Sequence, residues 1–244
     1  MSTERTSYYQ AGETRAENVR TLFDRIARKY DLINDVQSAG MHRVWKKWLW
    51  KLSQPKPGAK VLDLCCGTGD IAFFFAHQGC VVTGADFSTE MLKVARERSA
   101  SDCRGKIAPE FLQADVLQLP FEDESFEIIT IGYGLRNLAD FDAGLKEMTR
   151  VLKPGGQLLI LEFGKPDNSI LRAAYYSYLN LAVPLFGLIF CGDMKAYAYI
   201  LESLKHYPAQ RGILEMLDGL GYAENRIENF MGGTMSINRA VKPG

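Results

Sequence analysis

The sequence predicts an α/β protein, a mainly parallel sheet with helices on both faces, and three observations carry that reading. An apolar run, Val61 to Leu64, contains Asp63 and enters the tight turn Gly67-Thr68-Gly69. A second apolar run, Val81 to Ala85, ends in an acid, Asp86. From there to Glu162, strand-like and helix-like segments alternate. Glycines at the end of a strand let backbone approach a ligand closely, and an acid closing the next strand can hold ribose hydroxyls. The pair points to an adenosine-containing cofactor.

Taken in order, Arg15 to Trp50 reads as helical, with apolar positions at Val19, Leu22, Phe23 and Ile26 and an interruption expected at Asp31 to Asp35. A second helix is expected from His42 to Leu52, carrying Trp45, Trp48 and Trp50. Gln54-Pro-Lys-Pro-Gly58 breaks it and introduces the first strand, Lys60 to Leu64. A helix follows over Asp70 to Gln78, then the strand Val81 to Ala85 and a helix from Ser88, whose Ser-Thr-Glu opening is cap-like, to Ser101. The third strand lies within Ile107 to Gln113, and the fourth is Phe126 to Ile131. The helix Phe141 to Leu152 stops at Lys153-Pro-Gly-Gly156, and the fifth strand is Gln157 to Glu162. Ser169 to Leu204 is mostly helical and unusually apolar, and Ala209 to Leu220 forms a further helix. Arg226 to Met231 and Thr234 to Val241 flank Gly232-Gly233, the pattern of an antiparallel hairpin.

One domain is expected over 1–244: an N-terminal helical cap (1–55), a cofactor-binding core (56–165), an apolar helical cap (166–207) and a C-terminal helix with the hairpin (208–244). Internal repeats and low-complexity segments are absent from the sequence. The 29 acids equal the 29 lysines and arginines, so no global field recruits nucleic acid. Five cysteines, several in apolar context, argue for reduced thiols, and adjacent Cys65-Cys66 lacks the spacing of a zinc site, so no metal is expected. The polar, acid-bearing start reads as neither signal nor transit peptide, and no segment reaches the ~20 apolar residues of a membrane span. The expected location is the cytoplasm.

Gly67-Thr-Gly69-Asp-Ile-Ala72 alone also fits a dinucleotide site. Asp63 four residues before Gly67, Gln113-Ala-Asp115 at the end of the third strand, and Arg150-Val-Leu-Lys-Pro-Gly-Gly156 before the fifth together resemble the class I S-adenosylmethionine-dependent methyltransferases. The likeness narrows through Phe23-Asp-Arg-Ile-Ala-Arg-Lys-Tyr-Asp-Leu-Ile-Asn-Asp35, His42-Arg-Val-Trp-Lys-Lys47, Gly134-Leu-Arg-Asn137 and Leu152 to Phe163. Ala196 to Ser203 with His206-Tyr-Pro208 continues it. This ordered series is similar to the ubiquinone/menaquinone biosynthesis C-methyltransferases. It departs from them at Cys65-Cys66, where small residues are common, and at Gly132, where some members carry serine.

The resemblance implies a Rossmann-like fold with a seven-stranded sheet, S-adenosylmethionine as cofactor, and S-adenosylhomocysteine as product. It implies that Asp86 accepts from the ribose hydroxyls, the alternative being a helix-capping acid. Gly67 and Gly69 then admit the cofactor, Thr68 touches it, Asp63 organises the loop and helps hold the cofactor's cationic amino-acid end or merely caps loop amides, and Gly132 lines the site. Asp115 with the Val116 amide reads the adenine edge, or Asp115 is a turn aspartate. The implied acceptor is the ring of a reduced, demethylated isoprenoid quinone: demethylmenaquinol first, the ubiquinone-pathway benzoquinol second. Its phenolic hydroxyls, with pKa near 10, must lose a proton for carbon to attack. Arg136 stabilises the anion or makes a structural salt bridge, Asn137 and Tyr30 orient ring oxygens or a proton-carrying water, and His42 is either a base or a surface or packing histidine. Leu171 to Cys191 reads as core, prenyl channel or membrane-resting patch. Transient contact with the membrane surface and a homodimer are further expectations.

Overall fold

The computed structural model describes residues 13–103, 107–191 and 198–244. Seven strands form one sheet: β1 (Lys60–Leu64), β2 (Val81–Asp86), β3 (Glu110–Gln113), β4 (Phe126–Gly132), β5 (Leu152–Phe163), β6 (Ala223–Phe230) and β7 (Met235–Val241). Their order is β3-β2-β1-β4-β5-β7-β6. Pairing is parallel from β3 through β5, and β7 runs antiparallel to both β5 and β6. The strand order reverses between β1 and β4, so their crossover helices leave on opposite faces. The crevice at the carboxyl ends there is where open α/β sheets bind ligands.

The core strands are buried on both faces, and alternation sorts their side chains between two layers. Leu62, Leu64, Ile129, Ile131, Leu158 and Ile160 meet α6 (Phe141–Val151) and α9 (Ala209–Gly219) through Leu145, Met148, Ile213 and Leu217. Val61, Ile128, Leu159 and Leu161 face α3 (Met41–Ser53) and α4 (Asp70–His77), meeting Trp45, Leu49, Ala72 and Phe75. A third cluster lies beyond the sheet. Leu22 and Ile26 of α1 (Glu13–Ile26), Ile33 of α2 (Tyr30–Ser38), Met91 of α5 (Thr89–Asp102), Leu179 of α7 (Ser169–Cys191) and Leu204 of α8 (Ala198–His206) pack together.

The boundaries depart from expectation in two places. Residues 31–35 are helical, and the breaks fall on either side of them: at the 3-10 turn Ala27–Lys29, and at Ala39 and Gly40, both left-handed, where the Gly40 amide donates to the Asp35 carbonyl. Asp and Asn weaken helices by competing for nearby backbone. Here the Asp31 carboxylate is held by Thr68 and Arg98, and that of Asp35 by His42 and Arg43, so neither competes. The second departure is β5, which begins at Leu152 rather than Gln157. Leu152 pairs with Phe126 before a register shift, and Gly155, at φ 73°, and Gly156 exchange hydrogen bonds with Lys242. The expected helix over Ser169 to Leu204 appears as α7 and α8, while residues 192–197, including the start of the Ala196 to Ser203 motif, lie outside the described residues.

Candidate active site

The glycine loop leaves β1 at the switch point. The Cys66 amide donates to the Ala85 carbonyl and the Gly69 amide to that of Cys66, closing the turn that starts α4. Gly69 has φ 89°, and a Cβ there would lie 2.8 Å from the Phe73 ring and 2.9 Å from that of Phe111, so only glycine fits. Asp86 closes β2 against this loop: its Oδ2 accepts from the Gly67 amide and its Oδ1 from the Ser88 amide, each at 2.8 Å. Burial pushes its carboxyl up. The helix cap is a different side chain, since Ser88 Oγ accepts from the Met91 amide.

Asp86, Gly67, Asp115, Val116, Gly132 and Asn137 line one cleft. Asp115 is a turn aspartate, accepting from the Leu117 amide at 2.9 Å, and it stands on the cleft wall. Asp63, Thr68 and Gly69 lie off the walls of this cleft and of the cavity beside it. Asp63 is buried and accepts from the Ala72 amide at 3.1 Å and from Thr130 Oγ1 at 2.8 Å, joining β1, β4 and α4. Burial pushes its carboxyl up to about 7. The loop-organising half of its expected role has this geometry behind it; direct contact with a cofactor does not. Thr68 Oγ1 donates to Asp31 of α2 at 2.6 Å.

Ion pairs bind the N-terminal helices to this loop. Arg98 Nη1 reaches Asp31 at 3.1 Å, the Thr68 carbonyl at 3.0 Å and Asp70 at 2.8 Å, and Lys46 of α3 meets Asp70 at 2.8 Å. Burial alone would raise the Asp70 carboxyl, but Lys46 and Arg98 hold it down to about 2. Ser88 donates to Asp24 of α1, a second tie beside Asp86.

A larger cavity, about 450 Å³, adjoins the cleft, and Phe23, Tyr30 and Tyr133 line both. Its walls are mostly apolar, from α1, α2, α3, α7, the end of β5, the start of β7 and the turn after β4, with a few polar groups. Arg136 is one of them and lies in a buried ion pair, Nη1 to Glu162 Oε1 at 2.7 Å, with the same Nη1 donating to the Tyr133 carbonyl at 2.7 Å. Its guanidinium sits 4.9 Å from the centre of the Phe163 ring. Salt bridge and cavity wall are thus one arrangement rather than alternatives. Asn137 donates to the Tyr133 carbonyl at 3.3 Å, while its buried Oδ1 has no partner.

His42 is 3% exposed and lines the cavity. Its Nε2 lies 2.8 Å from Asp35 Oδ1, and a carboxylate only accepts, so Nε2 carries the hydrogen. Burial lowers its pKa, leaving a neutral ring whose Nδ1 is an unpaired, buried lone pair. Arg43 and His42 together hold the Asp35 carboxyl well below the usual range.

Tyr133 is the residue that sequence reasoning missed. It has φ 60°, unusual for a bulky side chain, and its buried hydroxyl lacks a partner. Burial pushes that phenol well above 10, so it stays a neutral donor. The available signal was its flanking glycines: a Cβ at Gly132 would fall 2.6 Å from Ile71 and one at Gly134 2.4 Å from Cys65. Glycine on both sides marked a tight strand end whose central side chain borders the site.

The cleft suits S-adenosylmethionine, since Asp86 and Asp115 on its wall outnumber Arg20 and match hydroxyls and a cationic sulfonium better than a pyrophosphate. Comparison with known proteins agrees. The chain is 42% identical over 252 residues to ubiquinone/menaquinone biosynthesis C-methyltransferase UbiE of Teredinibacter turnerae, covering 99% of this chain and all of that one. It is 41% identical to the protein of the same name from Cellvibrio japonicus, over 95% and 94% of the two chains. Among solved structures it resembles a possible histamine N-methyltransferase of Thermotoga maritima (TM-score 0.63, 17% identity, 91% and 99% covered). It also resembles the [4+2]-cyclase SpnF (TM-score 0.58, 19% identity, 92% and 95% covered). The second shows that the fold alone does not name a reaction. The model of the ubiE/COQ5 methyltransferase family matches residues 10–242, and with the site geometry and the near-full-length relatives it makes this chain a member of that family, an S-adenosylmethionine-dependent C-methyltransferase.

Proposed function

We propose that the protein methylates a ring carbon of a reduced, demethylated isoprenoid quinone, with demethylmenaquinol and the ubiquinone-pathway benzoquinol both in reach. The observation that carries this reading is the 450 Å³ apolar cavity sharing Phe23, Tyr30 and Tyr133 with the cofactor cleft. A greasy ring and tail fill such a space, and a methyl donor in the cleft lies next to it.

When bound, S-adenosylmethionine supplies a methyl group on a cationic sulfur. Asp86 accepts from its ribose hydroxyls, Asp115 and the Val116 amide read its adenine edge, and the Gly67 backbone and Gly132 admit it, over a loop held by Thr68, Gly69 and Asp63. His42 Nδ1 accepts the proton of a ring hydroxyl. Arg136, held in place by Glu162, and the Tyr133 phenol stabilise the resulting oxyanion, while Tyr30 and Asn137 orient the ring. The charge of that oxyanion makes the ring carbon beside it the nucleophile to which a bound S-adenosylmethionine would supply its methyl group. That carbon then loses its hydrogen as a proton, and the ring is aromatic again. Close, dry placement of the reacting atoms contributes most of the rate.

The test is methyl-labelled S-adenosylmethionine with each demethylated quinone, reduced and oxidised, and product identification by mass. Transfer to reduced rings only supports the quinolate route; transfer to none of the four ends it. The outward face of α7 exposes Ile170, Leu181 and Ile189, and no helix among the described residues is long and apolar enough to cross a membrane. These support a cytoplasmic protein that touches the membrane surface reversibly to reach its substrate. Absence of co-sedimentation with liposomes containing quinone removes that part. A homodimer is part of the same reading, checked by sedimentation velocity.

A further inference from the structure

From Arg28 to Lys51 the exposed side chains are of two kinds only. Leu32, Val36, Ala39, Met41 and Val44 are apolar, and Arg28, Lys29, Arg43, Lys47 and Lys51 are basic. The two acids of the stretch, Asp31 and Asp35, are partly buried; Thr68 and Arg98 hold the first, His42 and Arg43 the second. Arg28 faces Glu97 at 3.7 Å, but among the described residues no carboxylate pairs with Lys29, Lys47 or Lys51. With 6 bases to 2 acids, in a chain whose totals are equal, this is a local positive patch.

The pattern has an order. Leu32, Val36 and Ala39 stand at i, i+4 and i+7, with Lys29 one turn earlier, and on α3 Val44, Lys47 and Lys51 share a face. Apolar residues therefore gather where α2 meets α3, and the unpaired lysines lie toward the far ends. Ala39 and Met41, at that corner, are exposed and yet line the larger cavity, as do Tyr178 of α7 and Met231 beyond β6. These four mark where the cavity opens. Leu181 and Leu185 extend the apolar rim along α7, whose one charged residue is Arg172, so the charge beside the mouth comes from the α2–α3 side. An apolar rim flanked by lysines is poorly matched to water and well matched to a leaflet, where apolar side chains enter the acyl boundary and lysines meet phosphates.

We propose that the α2–α3 corner docks on a lipid leaflet bearing anionic headgroups. Leu32, Val36 and Val44 enter the acyl boundary, Lys29, Lys47 and Lys51 lie on the headgroup phosphates, and the cavity mouth is held against the hydrocarbon. The apolar face of α7 completes the rim, while the selectivity for charge belongs to the corner. This rests on the quinol reading and deepens it, by stating where a prenyl tail enters; the docking itself is measured without a quinone.

The experiment is co-sedimentation of the full chain with vesicles of phosphatidylcholine alone, or of equal parts phosphatidylcholine and phosphatidylglycerol, at low and raised salt. Three lysines at about fivefold each predict binding to the anionic vesicles at least ~20-fold tighter, weakened by salt. Lys29→Gln/Lys47→Gln is expected to weaken anionic binding about 25-fold. Val36→Ser/Val44→Ser is expected to weaken binding to both vesicles. Neither variant should change transfer to a short-tailed quinol in detergent, since none of these side chains lines the cleft or the cavity. Equal binding of the unaltered protein to both vesicles, or to neither, overturns the proposal whether or not the variants fold. Binding lost in Leu181→Ser/Leu185→Ser but kept in both corner variants also overturns it, assigning the contact to α7. So does a dimer in sedimentation velocity that Val36→Ser/Val44→Ser dissociates, with no vesicle binding, since the face then meets a second copy. Anionic selectivity without transfer to any quinol removes the quinol reading and keeps the docking face.

Discussion

The cofactor cleft and the acceptor cavity meet at Phe23, Tyr30 and Tyr133 but are built by different means. The cleft is made from strand ends and backbone: Gly67 at the head of its turn, the Asp86 carboxylate braced on two amides, and the turn at Asp115. Each piece is a few contiguous residues at the end of a parallel strand, where the sheet fixes its position. The cavity is made from side chains of six helices and strands and of the turns around them, and holds its few polar groups in a low-dielectric space. Errors in the cleft therefore fall mainly on binding, and errors in the cavity fall on charge balance, fold stability and turnover.

The sharpest break is expected at the buried ion pair. Arg136→Ala leaves Glu162, 1% exposed, without its cation, and is expected to cost about 3–5 kcal/mol in urea unfolding. Turnover should disappear while the folded fraction retains its affinity for S-adenosylhomocysteine. Unchanged turnover removes Arg136 from the chemistry.

Asp86→Ala tests the other side. It removes the acceptor of the Gly67 and Ser88 amides together with the proposed ribose partner. About 100-fold weaker binding of S-adenosylhomocysteine, measured by calorimetry, is the expected outcome, from two or more charge-assisted hydrogen bonds lost. Binding within threefold of the unaltered protein would place the ribose elsewhere.

Tyr133→Phe sharpens the boundary between the two regions. The loss of a phenol donor is expected to lower kcat about 10-fold or more, with cofactor affinity unchanged. Stability should hold or rise slightly, because the hydroxyl has no partner to lose. A fall in cofactor affinity instead would assign the residue to the cleft.

A pH slope is expected beneath the glycine loop. Asp63 is raised to about 7 from 3.8, so across that window the folded state holds a proton that the unfolded state has released. Stability therefore falls as pH rises through the window, by up to about 1.4 kcal/mol per unit. Asp63→Asn should flatten the slope in urea unfolding from pH 4 to pH 7. An unchanged slope would locate the titration in another group.

The two regions also differ in how legible they were. The Asp63 to Gly69 run, Asp86 and Asp115 were readable because strand, turn and acid are adjacent in sequence and the sheet aligns them. The hairpin followed from alternation around Gly232-Gly233. Tyr133 was passed over because nothing in the sequence reports that a hydroxyl ends up buried without a partner. Arg136 was named, yet its pairing with Glu162, 26 residues away, depends on β4 and β5 being neighbours. The helix break was misread because Asp31 and Asp35 weaken an isolated helix, and only their tertiary partners remove that competition.

By itself, then, the sequence determined the α/β alternation, the glycine turn and the two strand-ending acids, and its ordered motifs carried the family resemblance. These are local: hydrophobic period and backbone freedom act over a few residues and survive any neighbour. Tertiary structure alone decided that Asp35 orients His42, that Glu162 pairs with Arg136, and that Asn34, Gln37 and Tyr133, which line one cavity, each carry a buried polar atom without a partner. Those facts depend on desolvation and on contacts between elements distant in sequence, and neither exists until the chain has packed.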